Sequence, residues 1–393
     1  MNICIFSYSF LPRIGGMEWV VHNLANALSI LGHNVVVLTK KVKEKDLDVK
    51  KLYKIEKFGF TFKGSTKIGL DFLYFLFKMY NVVKKYKIEV INFHSAAYSG
   101  VYTIAYKKFF NPHIPVVATL HGGDIQIIPE INYGYCLDKR WREKIINVLK
   151  NSDAIVAISG SVKNDIKNLV SNVINKVYDI PNGIWINEFL NHKIEKNIRD
   201  RFNLPIEAKV IISVGRNHVK KGFEYGIKAM KIISKKYSHS NIYYVIIGKD
   251  TKKLLSLVRE LNLENKIILV EEIKERNELI SCYLTSDIYL SPSLVEGFSL
   301  TNLEAMAAGL PCVITDVPGN RDVVKNNSGL LVPPQSPEKI AEAIINILSN
   351  ENLRTQLKYN ALKEVKKYDW IEIAKKYLTV FSIIAEKYEK NKY

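Results

Sequence analysis

The chain has little that would brace a small secreted fold or hold a structural metal. Only four cysteines occur in 393 residues, at Cys4, Cys136, Cys282 and Cys312. They form no Cys-x-x-Cys pair and no cluster with histidine, so neither a disulfide framework nor a structural zinc site is expected. A bilayer span is missing as well. The apolar stretch from Ile68 to Val83 contains Asp71, Lys78 and Asn81 and is shorter than the roughly 20 residues a span needs. No cleavable leader is read at the amino terminus. Met1 to Tyr8 reads as a buried strand with a Gly-rich turn after it, which predicts a cytoplasmic protein. The Gly-x-Gly-x-x-Gly turn of a dinucleotide site is absent, and Leu38-Thr39-Lys40-Lys41 stands where an acidic residue would grip a ribose. A dehydrogenase is therefore disfavoured.

Acidic residues are scarce too, 39 against 57 Lys and Arg, for a net charge of +18. Half of that surplus lies between Lys40 and Lys87, where fourteen Lys face five acids among many aromatics. Two readings stay open: a patch for an anionic membrane surface or nucleic acid, and a plain Lys-rich solvated face. No RNA-binding motif accompanies the segment, and no nucleic-acid partner is expected. With membrane docking, the protein would be peripheral on the inner face of the membrane.

What is present is a globular balance, 47% hydrophobic and 24% charged, on a chain long enough for two domains. Short β-branched runs alternate with amphipathic helical stretches along nearly the whole length, which predicts parallel βαβ units. The first half offers six strands, Ile3–Phe6, Val35–Leu38, Val90–Phe93, Val116–Leu120, Ala154–Ile158 and Val177–Ile180. After the turn Pro181-Asn182-Gly183 the pattern weakens from Asn187 to Asn203, then restarts with six more strands from Val210 to Val332. The expected architecture is α/β: two Rossmann-like, doubly wound parallel sheets facing across a cleft, with ligands at the carboxyl ends of the strands. The expected domains are 1–190, 191–368 and a final helix, 369–393.

Candidate site residues sit in loops after strands. Gly15-Gly16 open the first helix, where backbone N–H groups can approach a phosphate. His121, in Thr119-Leu120-His121-Gly122-Gly123-Asp124, follows another strand. Arg216 and a lysine five residues later, in Val214-Gly215-Arg216-Asn217-His218-Val219-Lys220-Lys221-Gly222, can bracket a diphosphate. The richest segment runs from Ser291 to Gly309. Glu296-Gly297 lie in its loop, and Phe298, Ser299, Leu300 and Thr301 open a helix whose first-turn amides suit a phosphate. Glu304 lies one turn inside, placed to accept from a ribose diol. Eight residues of helix cover about 12 Å, and a glycosidase pair stands about 5–9.5 Å apart. Separate roles for Glu296 and Glu304 are thus expected.

Together these segments resemble the GT-B retaining glycosyltransferases of glycosyltransferase family 4, over almost the whole chain. Glu296…Glu304 matches that family's E-x7-E motif. Val214-Gly215-Arg216 with Lys221-Gly222 matches its V-G-R-x4-K-G pattern, which singles out Lys221 over Lys220. Gly15, Gly16 and Glu18 match its Gly-Gly-x-Glu turn, His121 its strand-end histidine, and the Trp370 region a final helix crossing back to the first domain. Glu271 departs from a usual glycine, Asn217 from a usual leucine and Asp322 from a usual glutamate.

The resemblance implies a hexose-type sugar moved from a UDP- or GDP-sugar to a glycan, lipid-linked or small-molecule acceptor, with no cofactor and no metal. Glu296, His121, Arg216 and Lys221 would be catalytic; Glu304 would bind ribose and Ile273 the base. The one look-alike of a metal-binding Asp-x-Asp, Asp46-Leu47-Asp48, lies in a Lys-rich polar stretch and reads as solvated. Two rivals remain, a GT-B sugar-nucleotide epimerase and a non-catalytic nucleotide-sugar or nucleic-acid binder.

Overall fold

The computed structural model describes residues 1–13, 15–41, 49–59, 68–236 and 241–390; Asp46-Leu47-Asp48 lies outside them. The chain divides into two compact units. Met1–Gly183 with Trp370–Tyr393 forms one, and Ile184–Asp369 forms the other.

The first unit is built on a seven-stranded sheet. Its strands are β1 (Asn2–Ser7), β2 (Asn34–Lys40), β3 (Lys54–Phe58), β4 (Val90–His94), β5 (Val116–Leu120), β6 (Ala154–Ala157) and β7 (Val177–Asp179). Their order is β3-β2-β1-β4-β5-β6-β7, and every pairing is parallel. β4, β5 and β6 are buried at every residue, as strands covered by helices on both faces must be. Six strands are legible in the sequence and the seventh, β3, is not. Lys54, Glu56 and Lys57 give it a charged look, because it is an edge strand and needs few apolar contacts. Glu56 instead takes ion pairs from Lys78 and Lys85 of helix α2 (Ile68–Tyr86).

The second unit carries β8 (Lys209–Val214), β9 (Ile242–Ile247), β10 (Ile267–Val270), β11 (Ile288–Ser291), β12 (Cys312–Thr315) and β13 (Leu330–Val332). All six pair in parallel, in the order β10-β9-β8-β11-β12-β13. In both sheets, order runs outward one way and then reverses beside the first strand. The reversal parts the loops that follow β1 and β4 in one unit, and β8 and β11 in the other. Such switch points open a crevice at the carboxyl ends of the strands.

The units change at Gly183–Ile184, earlier than the boundary at 190 expected from composition. The helix Ile186–Leu190 belongs with the second unit: Phe189 packs edge-on against Tyr283, and Glu188 accepts from Arg276 at 3.2 Å. The C-terminal helix Trp370–Lys390 belongs to the first unit and packs beside α1 (Gly16–Ile30). It buries Trp370, Ile373, Tyr377, Phe381 and Ile384. No helix among the described residues is long and apolar enough to cross a membrane.

Candidate active site

In the second unit, the loops after β8 and β11 are knitted together. The Lys220 carbonyl accepts from the Leu294 amide at 2.7 Å. Gly222 has φ +58, and a Cβ there would run into the Pro292 carbonyl oxygen. The sequence needs glycine at that point both for the left-handed backbone and for the close approach. This clamp brings Lys221 Nζ to 2.5 Å from Glu296 Oε1, and Ser293 Oγ donates to the same oxygen at 2.9 Å. Burial would raise the Glu296 carboxyl, but Lys221, Lys220 and the Ser293 hydroxyl outweigh it and hold it below its ordinary value. Burial and the charges of Lys220, Arg216 and Lys221 likewise depress His218. The loop is a focus of positive charge at the end of a strand, and Arg216 is part of it.

Helix Leu300–Ala307 starts directly after this loop. Ser299 caps it, accepting from the Asn302 amide at 3.4 Å. The Tyr289 hydroxyl holds Thr301 Oγ1 at 2.9 Å and Asn302 Oδ1 at 3.0 Å, which fixes the first turn. The first amides of a helix have no partner inside it and carry the positive end of its dipole. The turn is backed by Phe298, buried against Tyr368.

Glu304 lies on the same helix in a different setting. Its Oε1 accepts from Arg276 and its Oε2 from the Tyr283 hydroxyl at 3.0 Å. Arg276 also binds Glu188 and stands 5.4 Å over the Phe189 ring. The two motif carboxylates therefore share no partner. Arg276 and Tyr283 carry no motif signal, and their tie to Glu304 depends on folding the helix Arg276–Leu284 back onto this site.

Ile273 is half-buried in the coil between β10 and that helix. Glu271, one of the departures noted above, is engaged in a turn. Its carboxylate accepts from the Asp250 and Lys252 amides at 3.2 and 3.3 Å, bracing a turn. Asn217 similarly ties its loop to the Asp250 carbonyl at 3.1 Å.

In the first unit, Gly15 is the extended residue ahead of α1, and Gly16 begins the helix. Nothing lies within 4 Å of where a Gly16 Cβ would stand, so the turn is open on that side. Glu18 is held by the Ser9 hydroxyl at 2.6 Å. His121 stands at the end of β5, and His94, which ends the neighbouring β4, lies against it. Their ring nitrogens are 2.9 Å apart, and the rings stack with centroids 5.1 Å apart. Asp124 clamps both loops from beneath, accepting from the His121 amide at 3.1 Å and the Ala96 amide at 2.9 Å. His94 escapes sequence inspection, because a histidine closing an apolar strand looks like one more core residue.

Among the described residues no group of three or more His, Cys, Asp or Glu could hold a metal ion.

Two family descriptions match this chain, Glycosyltransferase Family 4 over residues 14–188 and Glycosyl transferases group 1 over residues 194–364. An uncharacterized glycosyltransferase of Methanocaldococcus jannaschii is 32% identical over 239 residues, 59% of this chain and 60% of that protein. Among solved structures, sucrose-phosphate synthase from Thermosynechococcus elongatus matches with a TM-score of 0.81 at 23% identity, over 98% of each chain. HepE from Anabaena, solved in complex with UDP, matches with a TM-score of 0.76 at 17% identity, over 97% of this chain and all of that one. The strand order, the strand-end clusters and these matches agree: the chain belongs to the GT-B glycosyltransferases of the group 1 and family 4 type.

Proposed function

We propose that this glycosyltransferase moves a hexose-type sugar from a UDP- or GDP-sugar to a glycan, lipid-linked or small-molecule acceptor, with retention and without a metal. The observation that carries the reading is the Lys221–Glu296 pair at the switch point, set beside Arg216 and the first turn of helix Leu300–Ala307. Arg216, Lys221 and the amides of Leu300 and Thr301 stabilise the charge that grows on the leaving diphosphate, as preorganised donors do. Glu296, ionised, turns toward the sugar, and Glu304 toward the ribose, exchanging its contact with Arg276 for the diol. Ile273 lies along the base. By the resemblance, Gly15, Gly16 and His121 serve the same reaction. HepE, a structural neighbour, was solved with UDP, which supports a nucleotide-linked donor.

In this scheme the bond from the anomeric carbon to the diphosphate oxygen breaks as the acceptor oxygen bonds to the same face. The acceptor proton passes to the departing phosphate. Arg216→Ala is expected to cost ~2–4 kcal/mol of transition-state stabilisation, as removal of one such donor does. The test is a panel of nucleotide sugars with excess EDTA present, reading nucleoside diphosphate and glycoside products. Activity that needs Mg²⁺ or Mn²⁺, inverted product, or free sugar without an acceptor adduct would each overturn part of the scheme. We place the enzyme peripherally on an anionic membrane surface, a reading supported by the basic 40–87 segment.

A further inference from the structure

The side chain of Asn92, on β4, is fully buried. Its amide nitrogen donates to the Val117 carbonyl at 3.1 Å and to Thr119 Oγ1 at 2.9 Å. A carbonyl has no proton to give, so the NH2 group must be on that side and Oδ1 on the other. Oδ1 lies 3.0 Å from His94 Nε2, which must therefore carry a proton. Burial, with His121 alongside, pushes the His94 imidazole well below its ordinary value, so the ring is neutral and its Nδ1 is a bare lone pair. That lone pair faces His121 Nε2 at 2.9 Å, and only a protonated Nε2 completes the bond. Burial depresses His121 as well, to about 4. Its own Nδ1 is then unprotonated, and no described residue bonds it.

The relay is anchored at both ends. Thr119 Oγ1 donates on to the Tyr377 hydroxyl of the C-terminal helix at 3.4 Å. Ser95, which follows His94, holds a left-handed φ of 79, uncommon outside glycine, while its amide is tied to the Thr119 carbonyl at 2.9 Å. Strained backbone next to a buried, hydrogen-bonded polar chain is kept when the chain specifies a geometry.

We propose that Asn92 and His94 are positioning residues that lock His121 in the tautomer with Nε2 protonated, so that it meets a sugar hydroxyl as a hydrogen-bond acceptor through Nδ1. The consequence for turnover rests on His121 acting in the transfer reaction; the tautomer does not.

The experiment is long-range proton–nitrogen NMR on the full-length protein labelled at histidine, with steady-state kinetics on the same samples. In the unsubstituted protein at neutral pH, both His94 and His121 should show protonated Nε2 and unprotonated Nδ1. His94→Phe keeps a stacked ring but removes the lone pair, and should let His121 exchange between tautomers. It should lower kcat about 10- to 100-fold, the usual loss when an imidazole's outer partner is removed, with the donor KM little changed. His94→Asn returns a carbonyl oxygen near the lost Nδ1 and should restore the tautomer and most of the turnover. A protonated Nδ1 or a charged ring on His121 in the unsubstituted protein overturns the proposal, as does full turnover in His94→Phe once the tautomer is freed. Undiminished turnover in His121→Ala with the tautomer pattern as expected would instead overturn His121's part in the reaction.

Discussion

At the scale of single residues, the Lys221–Glu296 pair shows how a buried charge is tolerated. Glu296 is almost sealed from water and Lys221 is 17% exposed, so the carboxylate depends on that ammonium and on Ser293. Lys221→Met should destabilise the fold by up to about 3 kcal/mol, the low end for breaking a buried pair because the lysine still reaches solvent. Adding Glu296→Gln should recover part of the loss. The pH dependence follows from the direction of the shift. The folded carboxyl lies below its ordinary value of 4.5, so its contribution is complete above that value and disappears as pH falls through the lower folded value. Urea midpoints measured across the acid range should fall less steeply in Lys221→Met, where only Lys220 and Ser293 remain to oppose the effect of burial on the carboxyl. An identical acid limb in the two proteins would mean that the pair is not formed. Arg216, Lys221, Glu296 and Glu304 are legible in the sequence because each follows a strand at a fixed offset. Their partners are not. Arg276 precedes Glu304 by 28 positions and Asn92 precedes Thr119 by 27, and no local pattern links such pairs.

At the scale of elements, β3 and α2 share one lesson. The basic segment, fourteen Lys against five acids, is partly neutralised on folding: Lys40 pairs with Asp71, and Lys78 and Lys85 pair with Glu56. Beside the exposed Lys84 and Lys85, α2 also leaves three large apolar side chains exposed, Leu73, Tyr74 and Phe77, the last 60% exposed. These positions share one side of the helix. Phe77 meets Phe110 edge-on beyond the end of the helix Tyr98–Phe109, where Phe109 is also exposed. Docking to an anionic bilayer would then combine inserted apolar side chains with the charge of the segment's lysines. Leu73→Asp with Phe77→Asp should abolish co-sedimentation with anionic vesicles and leave transfer to a soluble acceptor intact. Raising salt should weaken binding of the unsubstituted protein without abolishing it. Equal binding to neutral and anionic vesicles, or none at low salt, would sink the membrane reading.

At the scale of the molecule, the two units differ in how the chain builds them. The second is one continuous run, Ile184–Asp369, with its own buried core around Ile211, Tyr244, Ile288 and Ile344. The first borrows its last helix from the far end of the chain. Removing residues 370–393 strips Trp370, Ile373, Tyr377, Phe381 and Ile384 from its core. At about 1.5–3 kcal/mol for each large buried side chain, the loss rivals the ~5–15 kcal/mol that holds a whole domain together. A chain ending at residue 369 should therefore lose one thermal transition and keep the other. The fragment 184–369 should fold and bind nucleoside diphosphate, since Arg216, Lys221, Glu296 and Glu304 all lie within it. A fragment without cooperative unfolding would show that the second unit depends on the first.

The sequence by itself determined the class of fold, twelve of the thirteen described strands and the strand-end loops that hold the candidate site residues. Each of these is written in local periodicity and in glycines or charges at fixed offsets from strand ends. Only the tertiary structure decided the edge strand β3, which pairs with β2 in spite of its charge. Only the tertiary structure decided that Ile186–Leu190 belongs with the second unit, that Glu304 sits between Arg276 and Tyr283, and that His94 backs His121. These features arise where elements far apart in the chain are brought side by side by sheet order. The energy that selects them is burial and hydrogen-bond satisfaction across the fold, which no single stretch of sequence expresses.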